Sequence, residues 1–328
     1  VTLPAHRVRQ IGGSDIAAIL GISPWTTAFG VWHRVTTGEQ PDNSTDATRA
    51  GQRFERLLRD EYERRTGYDV VDEWDGSFDT PEWVASSLDG AVWKDGAVWG
   101  VVEVKCPGLQ QRHEWGEDGS VWPSIEAAVE AGAVPPHYAV QVGWYMLHTG
   151  ARWADFVVGF RGGIDGVSAP IVIRVLADDD QHDALWRRVL GWYEKHVAGG
   201  EQPPIDGSPE AAAYLSRRNP GDENLRRPAT EGEVALMRRS LALKAQIEAL
   251  EAERAAVTNA LRESVGDAVA VYGDGVSLSL PVAKPTRRIA GLSEIEKKAP
   301  DLVSVLAAAG LVKEATGSRT LTVREHKE

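Results

Sequence analysis

The chain has 328 residues, 42% of them hydrophobic and 26% charged, a composition that excludes a disordered or fibrous protein. No run reaches the roughly 18 consecutive apolar residues of a membrane span, residues 1–7 lack the apolar core of a signal peptide, and the single Cys106 excludes an internal disulfide framework or a cysteine-built metal cluster. Forty-eight acidic against 36 basic residues give a formal charge of −12, which weighs against long-range attraction to nucleic acid without excluding a local basic groove. A soluble protein of the cytoplasm is expected.

Gly13-Ser14-Asp15 ahead of an apolar run closed by Gly21 predicts a capped helix. A second helix is predicted from about Ser23-Pro24-Trp25 to Gly38, and a third from about Ala50 to Thr66 with Phe54, Leu57, Leu58 and Tyr62 on one stripe. Strands are predicted at 68–74, 84–93 and 98–105, the last two joined by an Asp95-Gly96 hairpin tip. Residues 108–122 are polar and irregular, and read as a ligand-contacting loop or a solvated connection. A helix over 137–149 follows Pro135-Pro136 and stops at Gly150; strands at 154–160 and 170–176 and a long helix over 178–198 complete the region. The class is α/β, a mixed central sheet flanked by helices.

Residues 1–200 thus read as one domain. Residues 201–232, rich in Pro, Gly, Asp and Asn, read as a linker or wrapping arm. Residues 233–328 read as a mainly helical extension containing a β-hairpin, suited to oligomerisation or partner binding. Its long helix, about 233–263, carries Leu236, Leu243, Ile247, Leu250, Val257 and Leu261 at near-heptad spacing, with Ser240 and Arg254 interrupting the seam. The hairpin is predicted over 269–280, a helix over 292–310 and a last short strand over 319–324.

The chemistry is concentrated in Asp89-Gly90 and, across the predicted hairpin, Glu103-Val104-Lys105. Alternation with period two puts Glu103 and Lys105 on one face of their strand and Val102 and Val104 on the other. A plain two-residue turn would send Asp89 and Glu103 to opposite faces; a three-residue loop or one bulge would set them side by side. If the two carboxylates share a metal ion, the hairpin must therefore contain the extra residue. Paired carboxylates suit a hard cation such as Mg²⁺ or Mn²⁺. A lysine beside them can orient or help deprotonate a water and can stabilise charge on a phosphate.

Other residues have ordinary structural explanations when taken singly. Glu55 lies on a charged helix, Gln141 and Tyr145 share a helix face at i and i+4, and Gly12-Gly13-Ser14-Asp15 after Arg7-Val8-Arg9 caps a helix or holds a phosphate. His113, His137 and His148 are too scattered for a metal triad. Trp32, Trp93, Trp99 and Trp144 lie on core stripes, whereas Trp25 and Trp115, in loops, are available for base stacking.

Taken together, the order of these motifs resembles the PD-(D/E)xK nuclease superfamily, and within it the YqaJ-type viral recombinase group related to lambda exonuclease. The resemblance is carried by residues 11–21 (IGGSDIAAILG), Ser23-Pro24-Trp25, Gly51-Gln52-Arg53-Phe54-Glu55, Leu88-Asp89-Gly90, residues 102–107 (VEVKCP), residues 136–141 (PHYAVQ), Tyr145-Met146 and Gly150. It implies a restriction-endonuclease-like core over about residues 6–200. It also implies Asp89, Glu103 and the Val104 carbonyl as Mg²⁺ ligands, with Lys105 serving the attacking water. Glu55 would complete the metal or water network, Gln141 would support the site or the scissile phosphate, Tyr145 would be a supporting residue, and Arg7 or Arg9 with Ser14 would hold a 5′-phosphate.

The implied activity is Mg²⁺-dependent 5′-to-3′ degradation of double-stranded DNA ends in phage-type recombination within a bacterial host. It releases 5′-mononucleotides and leaves 3′ strands for a single-strand annealing protein. The implied assembly is a homo-oligomeric ring, three- or four-fold. The alternatives are an endonuclease or single-strand-specific nuclease on the same core, or a non-catalytic DNA-binding or assembly protein.

Overall fold

The structure is a computed structural model describing residues 7–39, 46–71, 80–162, 166–221, 226–273, 276–279, 295 and 297–308. The chain divides into two units, residues 1–215 and residues 216–328.

The first unit begins with a 3₁₀ turn, Arg7–Arg9, and three helices: α1 (Gly13–Ile19), α2 (Ala28–Thr37) and α3 (Asp46–Thr66). α2 starts later than its apolar pattern suggests. The Ser23 hydroxyl accepts from the amides of Trp25 and Thr26, making a turn, and Thr27 is the residue that caps the helix.

Next come β1 (Val70–Val71), β2 (Gly90–Lys94), β3 (Ala97–Lys105), β4 (Val121–Trp122), α4 (Ile125–Glu130) and α5 (Pro136–Thr149). The unit continues through β5 (Trp153–Val158), β6 (Ile171–Leu176), α6 (Asp179–Tyr193) with a π turn at Glu194–Ala198, and α7 (Pro209–Arg218), which carries the chain to the unit boundary. The strand predicted over 84–93 is shorter: residues before Gly90 make only a single bridge, Ile11 to Val84. The 108–122 segment contains a 3₁₀ helix, Leu109–Glu114, and ends in β4.

The six strands form one mixed sheet in the order β1-β2-β3-β5-β6-β4. β3 runs parallel to β5, and β1/β2, β2/β3 and β5/β6 are antiparallel. The alternation of β3 divides the core. Val102 and Val104 join Leu58 and Tyr62 of α3 in one cluster, while Val101 joins Val142, Trp144 and Met146 of α5 in the other. Asp155, fully buried on β5, accepts hydrogen bonds from the Tyr62 hydroxyl at 2.7 Å and from Nε and Nη2 of Arg174 at 2.6 and 2.7 Å.

Part of the segment read as a linker or wrapping arm is packed. Ala211 is fully buried, and Tyr214 lies edge-on to Phe29, Trp32 and His33 of α2.

The second unit contains α8 (Glu231–Val265), a hairpin of β7 (Ala270–Gly273) and β8 (Val276–Ser279), and α9 (Pro300–Ala308). α8 opens with a capping box in which Thr230 and Glu233 satisfy each other's backbone amides. The strand predicted at 319–324 lies outside the described residues. No described helix is long and apolar enough to cross a membrane.

Candidate active site

The β2–β3 hairpin closes on the two-residue Asp95-Gly96 turn, with Lys94 opposite Ala97 and both turn residues at positive φ, 54° and 80°. The extra residue comes one step later. Trp93 pairs with Val98 but Val92 pairs with Gly100, so Trp99 is bulged out of the ladder. Beyond the bulge Gly90 faces Val102, which brings the preceding Asp89 alongside Glu103. The Asp89 carboxylate accepts the Val104 amide at 2.9 Å, pinning it to the strand that carries Glu103.

Glu103 is 1% exposed. Its Oε1 accepts from the Lys105 ammonium at 2.5 Å and from the Gln141 side-chain amide at 2.8 Å. Its Oε2 is buried with no hydrogen-bond partner. Gln141 also donates to the Tyr145 hydroxyl at 3.1 Å, so the i, i+4 pair of α5 acts as one bracket over Glu103.

Lys105 points its ammonium at the face of Tyr138, 4.5 Å from the ring centre. Glu55 on α3 lies 3.9 Å from Arg59, whose guanidinium donates at 2.9 Å to the Asp89 backbone carbonyl.

These groups perturb one another strongly. Burial, and then the charge of Asp89, push the Glu103 carboxyl up to about 8, with Glu55 contributing in the same direction. Burial likewise raises Asp89, against the opposing pull of Lys105, the Val104 amide and Arg59. For Lys105 burial favours loss of the proton, but Glu103 and Asp89 outweigh it and hold the ammonium above its ordinary range. The site is a carboxylate pair, Glu103 buried and Asp89 half-buried, with the Lys105 ammonium held on Glu103.

Asp89, Glu103, Val104, Lys105, Gln141 and Tyr145 are therefore linked in one chain of contacts, with Glu55 close enough to be felt by Glu103. The proposed phosphate group is more dispersed. Ser14 is exposed at the start of α1. Arg9 donates to the carbonyls of Val35, Thr36 and Thr37, so its guanidinium closes the C-terminal end of α2. The Arg7 side chain lies outside the described atoms. Asp15 accepts from the Gly12 amide at 2.8 Å and from Arg34 at 2.6 Å, locking the start of α1 to α2.

Arg59 and Tyr138 take part although sequence patterns assign them no role. The Glu55–Arg59 spacing of four on one helix is a local signal by which Arg59 could have been found. The two loop tryptophans also differ. Trp115 is 4% exposed and stacks on Tyr138, which removes it from solvent, whereas Trp25 is 67% exposed with its ring edge-on to His137 at 4.7 Å and tilted on Tyr138 at 5.6 Å.

Among the described residues no three His, Cys, Asp or Glu side chains gather as a complete metal-ligand set. A two-carboxylate site is nonetheless what Mg²⁺ uses, because that ion keeps much of its water and takes further oxygens from a phosphate substrate. The buried, unpartnered Oε2 of Glu103 is an oxygen in want of a positive partner, and fits such an ion.

The chain is similar to several known proteins. An uncharacterized protein, YqaJ, of Bacillus subtilis (strain 168) is 24% identical over 268 residues, covering 80% of this chain and 77% of its own. The crystal structure of an alkaline exonuclease (LHK-Exo) from Laribacter hongkongensis is 21% identical with a TM-score of 0.44, covering 65% of this chain and 95% of that one. A phage related exonuclease from Haemophilus somnus 129PT is 16% identical with a TM-score of 0.39, covering 58% and 96% respectively. The family model of the YqaJ-like viral recombinase domain matches residues 4–152, the segment that contributes Glu55, Asp89, Glu103, Lys105, Gln141 and Tyr145. Over that segment the chain is similar to the YqaJ-like viral recombinase domain family.

Proposed function

We propose that the protein is a divalent-metal-dependent deoxyribonuclease that resects linear duplex DNA from its 5′ ends and leaves 3′ single strands. The observation that carries this reading is Glu103, a buried carboxylate with one oxygen held by Lys105 and Gln141 and the other unpartnered, next to Asp89. Asp89 and Glu103, with the Val104 carbonyl, would hold Mg²⁺, with Mn²⁺ as a substitute. When bound, the cation would polarise the scissile phosphoryl group and acidify a bound water.

The chain's own groups do the rest. Lys105 keeps its proton under the influence of both carboxylates, so its ammonium orients the attacking water by donation and offsets charge growing on the phosphate oxygens. Tyr138 fixes the ammonium from one side and Glu103 from the other, which leaves its remaining hydrogens for substrate. Gln141 holds Glu103 in one rotamer, and Tyr145 holds Gln141. Glu55 supplies a further acceptor at the rim, restrained by Arg59. Ser14 and Arg7, near the start of α1, would receive the terminal phosphate; Arg9 is better employed as a helix cap.

A 3′ strand produced in this way is the substrate of a single-strand annealing protein, the partner class this reading entails. A ring-shaped homo-oligomer would keep the enzyme on its track.

The test is an end-labelled, 5′-phosphorylated duplex incubated with Mg²⁺ and then with EDTA, alongside a covalently closed circle. Nucleotides released from the linear duplex with Mg²⁺, none with EDTA, and an intact circle are expected. Cutting of the circle would make the protein an endonuclease. No hydrolysis of any DNA with either ion would leave a binding or assembly role.

A further inference from the structure

Helix α8 spans 35 residues, about 52 Å at 1.5 Å per residue, and buries none of them. It nevertheless carries an ordered apolar row. Leu236, Leu243, Leu250 and Val257 recur every seven residues, and Ile247 and Leu261 fill the neighbouring row, all between 40% and 72% exposed. In heptad terms the first four are d positions; Ser240, Ile247, Arg254 and Leu261 are the a positions. About seven turns of helix carrying solvated leucine, isoleucine and valine at this spacing form a seam without a second strand among the described residues.

The polar and charged residues identify that strand. Two copies placed parallel and in register would set Arg254 against Arg254 of the other copy within the seam, and Arg239 beside Lys244, both repulsive. Two copies placed antiparallel with full overlap put Ile247 against Leu250, Leu261 against Leu236, Arg254 against Leu243 and Ser240 against Val257. No polar residue then meets its own kind. In that same register Lys244 of each helix lies beside Glu251 of the other, twice by symmetry. A shift of one heptad in either direction brings Lys244 against Lys244 or Glu251 against Glu251. Lys244 now lies 3.7 Å from Glu248 on its own helix and is 69% exposed, free to swing across.

From this coincidence of apolar row, overlap and charge, we infer that α8 pairs with α8 of a second copy of this chain as an antiparallel two-stranded coiled coil. This pairing does not depend on what the first unit catalyses.

The experiment is sedimentation equilibrium of the full chain and its variants over a concentration series. The parent protein should show a concentration-dependent mass that L243E combined with L250E halves, with the circular dichroism of the helices retained, since both sites are exposed and glutamate is a good helix former. K244E alone and E251K alone should each weaken association roughly threefold to tenfold, and the two together should restore it to within about twofold. A parent mass unaffected by L243E with L250E, or a monomer at every concentration, overturns the inference. So does a strengthening by K244E, which the parallel arrangement requires because it would relieve the clash with Arg239, or a combined variant as weak as the single ones.

Discussion

Gly13 of α1 lies directly beneath the ring of Tyr145, so close that a Cβ at position 13 would stand 2.5 Å from Cε1 and 2.8 Å from the hydroxyl oxygen. The Gly-Gly-Ser-Asp motif and the Gln-x-x-x-Tyr motif, more than 120 residues apart in sequence, thus meet as one contact. Tyr145 brackets Gln141, and Gln141 brackets Glu103, so the glycine sets the position of the carboxylate three contacts away.

Gly13→Ala is expected to destabilise the first unit by about 1–3 kcal/mol through overpacking, although alanine is the better helix former. Nuclease turnover should fall roughly tenfold, as when an outer support of a metal ligand is lost. Tyr145→Phe, which removes the hydroxyl but not the ring, should reproduce the turnover loss with less than about 1 kcal/mol of the stability loss. Denaturant melts and single-turnover kinetics on the two variants separate the effects. Equal stability losses in both would mean that position 13 does not press on the ring.

Lys105→Ala removes the ammonium that touches Glu103 and should lower nucleotide release by about a thousandfold or more, with the sheet intact by circular dichroism. Undiminished hydrolysis by this variant would dismiss the site. Duplex binding, measured with Ca²⁺ in place of Mg²⁺, should change by less than tenfold.

The pH behaviour of the metal-free protein follows from Glu103. Its carboxyl, raised to about 8 by burial and by Asp89, keeps a proton in the folded state that the unfolded chain releases near 4.5. Stability from this group is therefore complete below about 4.5, declines as pH rises toward 8, and falls no further above it. Glu103→Gln, which cannot ionise, should melt higher than the parent in EDTA at pH 9, by about 5 °C or more. The difference should close toward pH 5. Adding Mg²⁺ should raise the parent's melting temperature most at pH 9, where no proton has to be displaced, and should have little effect on the variant. A melting difference independent of pH would show that Glu103 is ionised throughout.

Trp25 is exposed at the edge of the aromatic group that ends on Lys105. If it stacks a base of the incoming strand, Trp25→Ala should raise KM for duplex by about tenfold, the equivalent of 1–3 kcal/mol of stacking. Its kcat should be nearly unchanged, and Trp25→Phe should recover most of the loss. An unaltered KM would make Trp25 a surface residue without a role in substrate binding.

Away from the site, Asp155 neutralises Arg174 and receives Tyr62 inside the sheet, and Arg174 in turn lies 3.9 Å from the Trp153 ring centre. Asp155→Ala strands both partners in a buried setting and should cost about 3–5 kcal/mol, visible as a lowered urea midpoint. Replacement without loss of stability would mean that the Asp155 network contributes nothing net.

Local periodicity determined a good deal of this molecule in advance. Period two separates Glu103 and Lys105 from Val102 and Val104, period 3.6 sets Gln141 over Tyr145, and the heptad row of α8 is visible as letters, because these repeats are properties of the backbone and need no partner. The need for one extra residue in the β2–β3 hairpin was also readable, as a condition. That the extra residue is Trp99, beyond a tight Asp95-Gly96 turn, depends on how two strands and the helices over them settle together. The same holds for Arg9 closing α2, Arg59 reaching the Asp89 carbonyl, Tyr138 beneath Lys105 and Trp115 withdrawn from solvent. Each is a contact between residues distant along the chain, or a degree of burial, and neither is encoded in any local repeat. Only when the sheet has formed and its faces are covered does a carboxylate such as Glu103 lose its water and come to want a cation.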